Sequence, residues 1–92
     1  MRRFLIEREI PGAGSMEREQ LRGAAQKSNG VLHKLGPDIQ WVQSYVAGDK
    51  IFCIYLANDE SIIHEHARQS GFPANKVTEI RKVIDPSTAQ AG

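Results

Sequence analysis

The sequence contains a single cysteine, no long apolar run and almost no net charge. One cysteine among 92 residues cannot form an intrachain disulfide, so disulfides do not hold the fold together. Twelve Lys and Arg against eleven Asp and Glu give a formal charge of +1, which leaves no sequence-wide basic field to attract nucleic acid or an anionic membrane. The apolar runs span only a few residues, so no membrane-spanning segment is expected.

The sequence also lacks the short motifs of common cofactor sites. It has no EF-hand pattern and no CxxC, and the PGAG segment at 11–14 lacks the third glycine and the lysine of phosphate-binding fingerprints. Neither a nucleotide nor a flavin site is predicted. Basic and aromatic residues do not alternate on the predicted strands, which disfavours RNA recognition. Charged residues at 7–9 interrupt any signal-peptide hydrophobic region, so a cytoplasmic location is expected.

Length and composition fit one small globular domain. The 92 residues are 40% hydrophobic and 25% charged, which is ordinary for a folded domain. We assign the domain to residues 1–86. Residues 87–92 are small and polar and are expected to form a flexible C-terminal tail.

Periodicity and turn residues predict six elements. Strands are expected at 4–10, 38–46, 50–57 and 77–84, and helices at 16–35 and 59–70. Ser15 and Asp59 are the expected N-caps, and Gly36 and Gly71 the expected helix ends. The order predicts an α+β, ferredoxin-like βαββαβ fold, with a four-stranded antiparallel sheet and two helices on one face.

The turn at 47–50 fixes a register for the central hairpin. Val46 should face Ile51, Ser44 should face Cys53, and the neighbouring pairs follow. Regular alternation then puts Trp41, Gln43 and Tyr45 on one sheet face and Cys53 on the other. Both faces are largely apolar, although two helices can cover only one. A second subunit packed sheet to sheet is the simplest cover, so a homodimer is expected.

The His64-Glu65-His66 triplet is the first candidate site. Two residues apart on a helix, the two imidazoles point about 160° apart and cannot readily chelate one ion. The apolar stripe of the helix places His66 inward and His64 toward solvent. His66 is either a metal ligand or a buried, hydrogen-bonded histidine, and His64 is the weaker candidate ligand.

Cys53 is the second candidate, because it lies on the helix-facing side of a central strand. A lone cysteine there is most often an inert core residue. If His66 leans over this strand, however, the pair suits nickel, copper or zinc. A further interpretation of the same pair is that Cys53 is a nucleophile and His66 its base.

Trp41, Gln43 and Tyr45 form the third candidate. Polar tips on an apolar face could line a small-ligand cavity between two subunits, as in a dimeric α+β barrel enzyme or binding protein. An amphipathic dimer interface explains the same residues without a ligand.

Several motifs together resemble a known family. They are Phe4-Leu5-Ile6-Glu7-Arg8, Trp41 through Tyr45, Phe52-Cys53, Ala57 with Asp59, His64-Glu65-His66-Ala67 and Gly71-Phe72-Pro73. In these motifs the chain resembles a family of small bacterial ferredoxin-like proteins of unknown function. That family includes an actinomycete nickel-binding protein. The resemblance implies a ferredoxin-like fold, a homodimer and nickel as a ligand. This chain has Ser70 where the nickel-binding relative has a second histidine.

The leading hypothesis is therefore a cytoplasmic homodimer that binds a divalent transition metal, nickel first, for sequestration or sensing. His66 is the first expected ligand, followed by Cys53 and His64. The alternative is an enzyme or small-ligand binder that uses the face with Trp41, Gln43 and Tyr45. An interaction module without a small-molecule site is the third possibility.

Overall fold

The computed structural model of the chain describes residues 1–90, which form four strands and two α-helices with two short 3-10 helices. In chain order they are β1 (Arg2–Glu9), a 3-10 helix (Ala13–Ser15), α1 (Arg18–Leu35), β2 (Ile39–Val46), β3 (Lys50–Ala57), α2 (Glu60–Ser70), β4 (Lys76–Ile80) and a second 3-10 helix (Pro86–Gln90). Neither α-helix in this part of the chain has the length and apolarity needed to cross a bilayer.

The strands form one antiparallel sheet in the order β2-β3-β1-β4. With both helices on one face, this is the α+β ferredoxin-like arrangement that the sequence predicts. The core lies between the helices and the sheet, where period-two alternation in β1 and β3 buries Phe4, Ile6, Tyr55 and Ala57 against Ile63 of α2. Leu5 and Leu56, between these positions, point to the opposite face of the sheet.

The central hairpin has the predicted register near its turn, with Val46 opposite Ile51 and Ser44 opposite Cys53. A β-bulge then interrupts β2, because Trp41 pairs with Tyr55 and Gln43 with Ile54, which leaves Val42 without a partner. The extra residue reverses the alternation, so Trp41 lies on the helix-facing side. The prediction that Trp41 shares a face with Gln43 and Tyr45 is therefore wrong.

Several element boundaries also differ from the predictions, beginning with the first strand, which spans Arg2–Glu9 instead of 4–10. The last strand ends at Ile80 instead of residue 84, and Ile84 beyond it is 79% exposed. At the start of α1 the N-cap is Glu17 instead of Ser15, with a reciprocal capping box between Glu17 and Gln20. Asp59 caps α2 as predicted, since its carboxylate accepts a hydrogen bond from the Ser61 N–H.

The predicted tail overlaps the second 3-10 helix. Residues 86–90 form an exposed 3-10 helix, and Asp85, just before it, accepts a hydrogen bond from the Ser87 N–H at 2.8 Å. Residues 91 and 92 of the predicted tail lie outside the described part of the chain.

The segment after β1 is tied closely to the turn between β2 and β3. The Ile10 and Gly14 N–H groups donate to the carbonyls of Asp49 and Gly48 at 2.9 and 2.8 Å. A Cβ at Gly14 would lie 3.2 Å from the Gly48 backbone, so this close approach favours glycine. The segment thereby closes one end of the space between α1 and the sheet.

Candidate functional site

An apolar pocket of about 470 Å³ lies between α1 and the helix-facing side of the sheet and is partly open to solvent. Its walls come from α1, from the hairpin and from the turn after α2, and they include Arg8, Ala25, Trp41, Ser44, Cys53 and Tyr55. The volume is within the range of small-molecule sites, and the mixture of many apolar groups with few polar ones is typical of them.

Arg8 is the charged residue of this pocket, and its side chain is only 3% exposed. Its position follows from β1, where alternation places it on the core face after Phe4 and Ile6. Nη1 donates to the Pro73 carbonyl at 3.0 Å and, more weakly, to the Phe72 carbonyl at 3.4 Å. The guanidinium also lies 5.9 Å from the centre of the Tyr55 ring.

A chain of donors runs from Trp41 to Cys53 along the pocket wall. Trp41 Nε1 donates to Ser44 Oγ at 2.9 Å, and Ser44 Oγ donates to Cys53 Sγ at 3.0 Å. The Arg8 Nε–H also donates to Cys53 Sγ, at 3.4 Å. The thiol is buried and accepts two hydrogen bonds, one of them from a cation, so its sulfur lone pairs are already engaged.

His66 is enclosed behind this pocket. It is 1% exposed, its Nε2 lies 3.0 Å from Ser28 Oγ, and its ring packs 5.3 Å from that of Tyr55. Burial, with a further contribution from the charge of Arg8, lowers the pKa of His66 to about 4, so the imidazole is neutral near pH 7. Its Nδ1 is buried and has no hydrogen-bond partner among the described residues.

His64 lies on the opposite, exposed side of α2, as its helical position predicts. Its Nε2 is 3.0 Å from Oε2 of Glu60, one helical turn earlier. Both side chains are about half exposed, so the imidazole nitrogen and the carboxylate oxygen can reach solvent together.

The predicted metal ligands do not come together. His66 is hydrogen-bonded to Ser28, and Cys53 is hydrogen-bonded to Ser44 and Arg8. His64 pairs with Glu60 on the far side of the helix. Within residues 1–90, no three His, Cys, Asp or Glu side chains form a group that could hold a metal ion. A metal at Cys53 would also lie beside the Arg8 cation, which repels it. The buried pair therefore does not fit a metal ion.

The alternative ligand site is divided between the two faces of the sheet. Gln43 and Tyr45 hydrogen-bond to each other on the outer face, where Tyr45 is 55% exposed. Trp41 lines the pocket on the inner face. Sequence reasoning did not identify Arg8 as a site residue, although a signal existed, because Phe4, Ile6 and Arg8 share one phase of the β1 alternation.

Two comparisons relate the chain to other proteins. A family model described as "Nickel responsive protein SCO4226-like" matches residues 4–80. In structure, the chain is similar to SCO4226 from Streptomyces coelicolor A3(2), with a TM-score of 0.75 and 16% identity over 89% of this chain and 99% of that chain. At this identity the structural likeness concerns the fold alone. No curated protein matches the chain in sequence.

Proposed function

This chain belongs to the SCO4226-like family of nickel-responsive proteins, and from that membership we propose that it binds Ni²⁺ at an exposed site on α2. The observation that supports the proposal is the pair of His64 and Glu60, whose Nε2 and Oε2 atoms lie 3.0 Å apart. Imidazole nitrogen suits nickel, and residues four apart on a helix project from one face. Both atoms can therefore turn toward one ion.

A site with two protein ligands implies weak binding. Water would fill the remaining coordination positions of the ion, and exchange with solvent would be fast. Weak, exposed binding suits a response to excess nickel better than tight sequestration. His66 and Cys53 have structural roles instead, in the packing of α2 and in the pocket wall, since they already form hydrogen bonds with Ser28, Ser44 and Arg8.

Calorimetric titration with nickel chloride tests the proposal. We expect saturable heat from the natural chain and a loss of at least tenfold in affinity in His64→Ala. The matched control is His33→Ala, because His33 is another exposed helical histidine, in the last turn of α1, and has no carboxylate four residues away. Glu60→Gln should weaken binding less than His64→Ala, since the amide oxygen still ligates.

Two results would contradict this site. The first is an absence of saturable nickel heat in the natural chain, measured against a magnesium chloride control. The second is loss of nickel binding in His66→Ala or Cys53→Ser with His64→Ala unaffected. That outcome would move the metal to the buried pair.

A further inference from the structure

The pocket beside Arg8 has the dimensions and lining of a small-molecule site, independently of any metal. Its walls are mostly apolar, and its volume of about 470 Å³ exceeds the lower limit of typical ligand cavities. Binding is favourable when the apolar surface of a ligand displaces water from an apolar cavity of this size. The lining therefore favours a ligand with an apolar body.

The charge of Arg8 indicates the polar group of that ligand. No carboxylate among the described residues forms an ion pair with Arg8, although five other pairs are present in this part of the chain. Nη1 and Nε donate to carbonyl and thiol groups, whereas Nη2 makes no hydrogen bond to any described residue. Buried charges are normally paired, because an isolated ion in a poorly solvated site is costly.

We propose that this pocket binds a small monocarboxylic acid with an apolar body, whose carboxylate pairs with the guanidinium of Arg8. Arginine binds carboxylates well because its planar fork of N–H donors matches the two oxygens. The Tyr55 hydroxyl, which also lines the pocket, can donate a further hydrogen bond, whereas Trp41 Nε1 and Ser44 Oγ already donate their protons to Ser44 and Cys53.

The same charge excludes other ligands. A divalent cation or an alkyl ammonium ion would be repelled by Arg8, and no acidic side chain lines the pocket to compensate. A neutral apolar molecule could enter the cavity but would leave Arg8 without an anion. The carboxylate should therefore add affinity to a given apolar chain.

Octanoate is a suitable probe, with 1-octanol as the neutral molecule of equal chain length. Trp41 is the only tryptophan and lines the pocket, so its fluorescence reports occupancy. Calorimetry and Trp41 fluorescence should both show saturable binding of octanoate, with a dissociation constant between about 10 µM and 1 mM. Octanol should bind at least tenfold more weakly, and octylamine should show no saturable signal.

Two variants test the location. Arg8→Gln should reduce octanoate affinity at least tenfold and leave octanol binding nearly unchanged. Ala25→Phe should block both ligands by filling the pocket from α1 while it retains Arg8. Its matched control is Gln26→Phe, which adds the same side chain at an exposed position of that helix outside the lining and should bind octanoate normally.

The proposal is overturned if octanoate gives no saturable signal up to millimolar concentration, or if it binds no better than octanol. Normal octanoate binding by Ala25→Phe would also overturn it. If Arg8→Gln does not fold, the comparison of octanoate with octanol and the pair of phenylalanine variants still decide. None of these measurements depends on nickel, so the outcome is distinct from that of the α2 site.

Discussion

At the scale of single residues, Arg8 and His66 are neighbouring buried bases with different protonation states. Arg8 is a guanidinium cation, and Cys53 and two carbonyls accept its hydrogen bonds. His66 is held neutral, because burial and then the charge of Arg8 lower its pKa to about 4. The folded state therefore depends on His66 remaining unprotonated.

The stability of the chain should fall when acid protonates His66. The unfolded pKa is about 6.5 and the folded pKa about 4, so the unfolded state binds more protons between these values. The contribution is fully present above pH 6.5 and is lost as the pH falls toward 4. We expect a decrease of about 2 kcal/mol in the free energy of unfolding between pH 7 and pH 4.5. Urea unfolding at pH 7, 5.5 and 4.5 measures it.

The control for this prediction removes the titrating group. His66→Gln should show a shallower dependence on pH than the natural chain over the same range, whereas the exposed-residue variant His33→Gln should not. Carboxylates such as Asp59 and Glu65 also have lowered pKa values, and their effect is common to all three proteins. Parallel curves for the natural chain and His66→Gln would show that His66 does not titrate with unfolding.

At the scale of elements, the β2 bulge determines which aromatic residue enters the pocket. Val42 is unpaired and 51% exposed, and it reverses the side-chain alternation between Trp41 and Gln43. Trp41 thereby lies on the same face as Ser44 and donates a hydrogen bond to it. A regular strand would have turned the indole toward the opposite face.

Removal of Val42 should therefore be tolerated. Without it, Trp41 opposite Tyr55 and Gln43 opposite Ile54 become consecutive pairs of a regular ladder, and Trp41 keeps its side of the sheet. We expect the deletion variant to fold, with an unfolding free energy within about 1 kcal/mol of the natural chain, since about half of Val42 is already exposed. Urea unfolding followed by Trp41 fluorescence measures both the stability and the environment of the indole.

The matched deletion is Tyr45, another exposed residue of the same strand. Its removal would place Gln43 in the inner position that Ser44 occupies and would break the Trp41–Ser44 hydrogen bond. Tyr45 deletion should therefore be the more destabilising of the two. Equal losses for the two deletions would contradict the assignment of the extra residue to Val42.

The elements differ in how far sequence could predict them. The fold and the hairpin pairs near the turn are confirmed, because Gly and Pro mark the boundaries and the turn sets the register. The bulge could not be inferred from the sequence. Residues 41–46 place almost the same apolar side chains on each face whether or not an extra residue shifts the alternation. The last strand was predicted too long because the alternation of residues 77–84 continues past the end of the ladder, whose last pair is Arg3 with Ile80.

The candidate site was only partly predictable. The inward position of Cys53 and the opposite orientations of His64 and His66 follow from strand and helix periodicity. The pocket does not follow, because it depends on the distance between α1 and the sheet. Arg8 was overlooked because it lies in the charged run Glu7-Arg8-Glu9, which resembles a solvated strand end.

At the scale of the whole molecule, the outer face of the sheet is uncovered by either helix. It carries half-buried apolar side chains on the two central strands, namely Leu5, Phe52, Ile54 and Leu56, with Tyr45 at one margin. We propose that a second copy of the chain covers this face. Packing of the two sheets would remove these side chains from water.

Light scattering after gel filtration tests the dimer. The natural chain should have twice the chain mass of 10.2 kDa, whereas Ile54→Lys should approach the single-chain mass because a buried, unpaired ammonium opposes association. Val83→Lys is the matched control, since Val83 is 65% exposed and lies beyond the end of β4. A single-chain mass for the natural protein, or an undiminished mass for Ile54→Lys, would exclude this interface.

The bulge at Val42 also affects whether strands of other molecules can pair with the edge of the sheet. β2 is an edge strand, and an edge presents unpaired N–H and C=O groups that can template further strands and lead to fibrils. An extra residue twists such an edge and interrupts its regular spacing of donors and acceptors. The other edge, β4, is only five residues long and begins with Lys76. Both edge strands therefore oppose the addition of further strands, even though β2 carries exposed valine and tyrosine side chains.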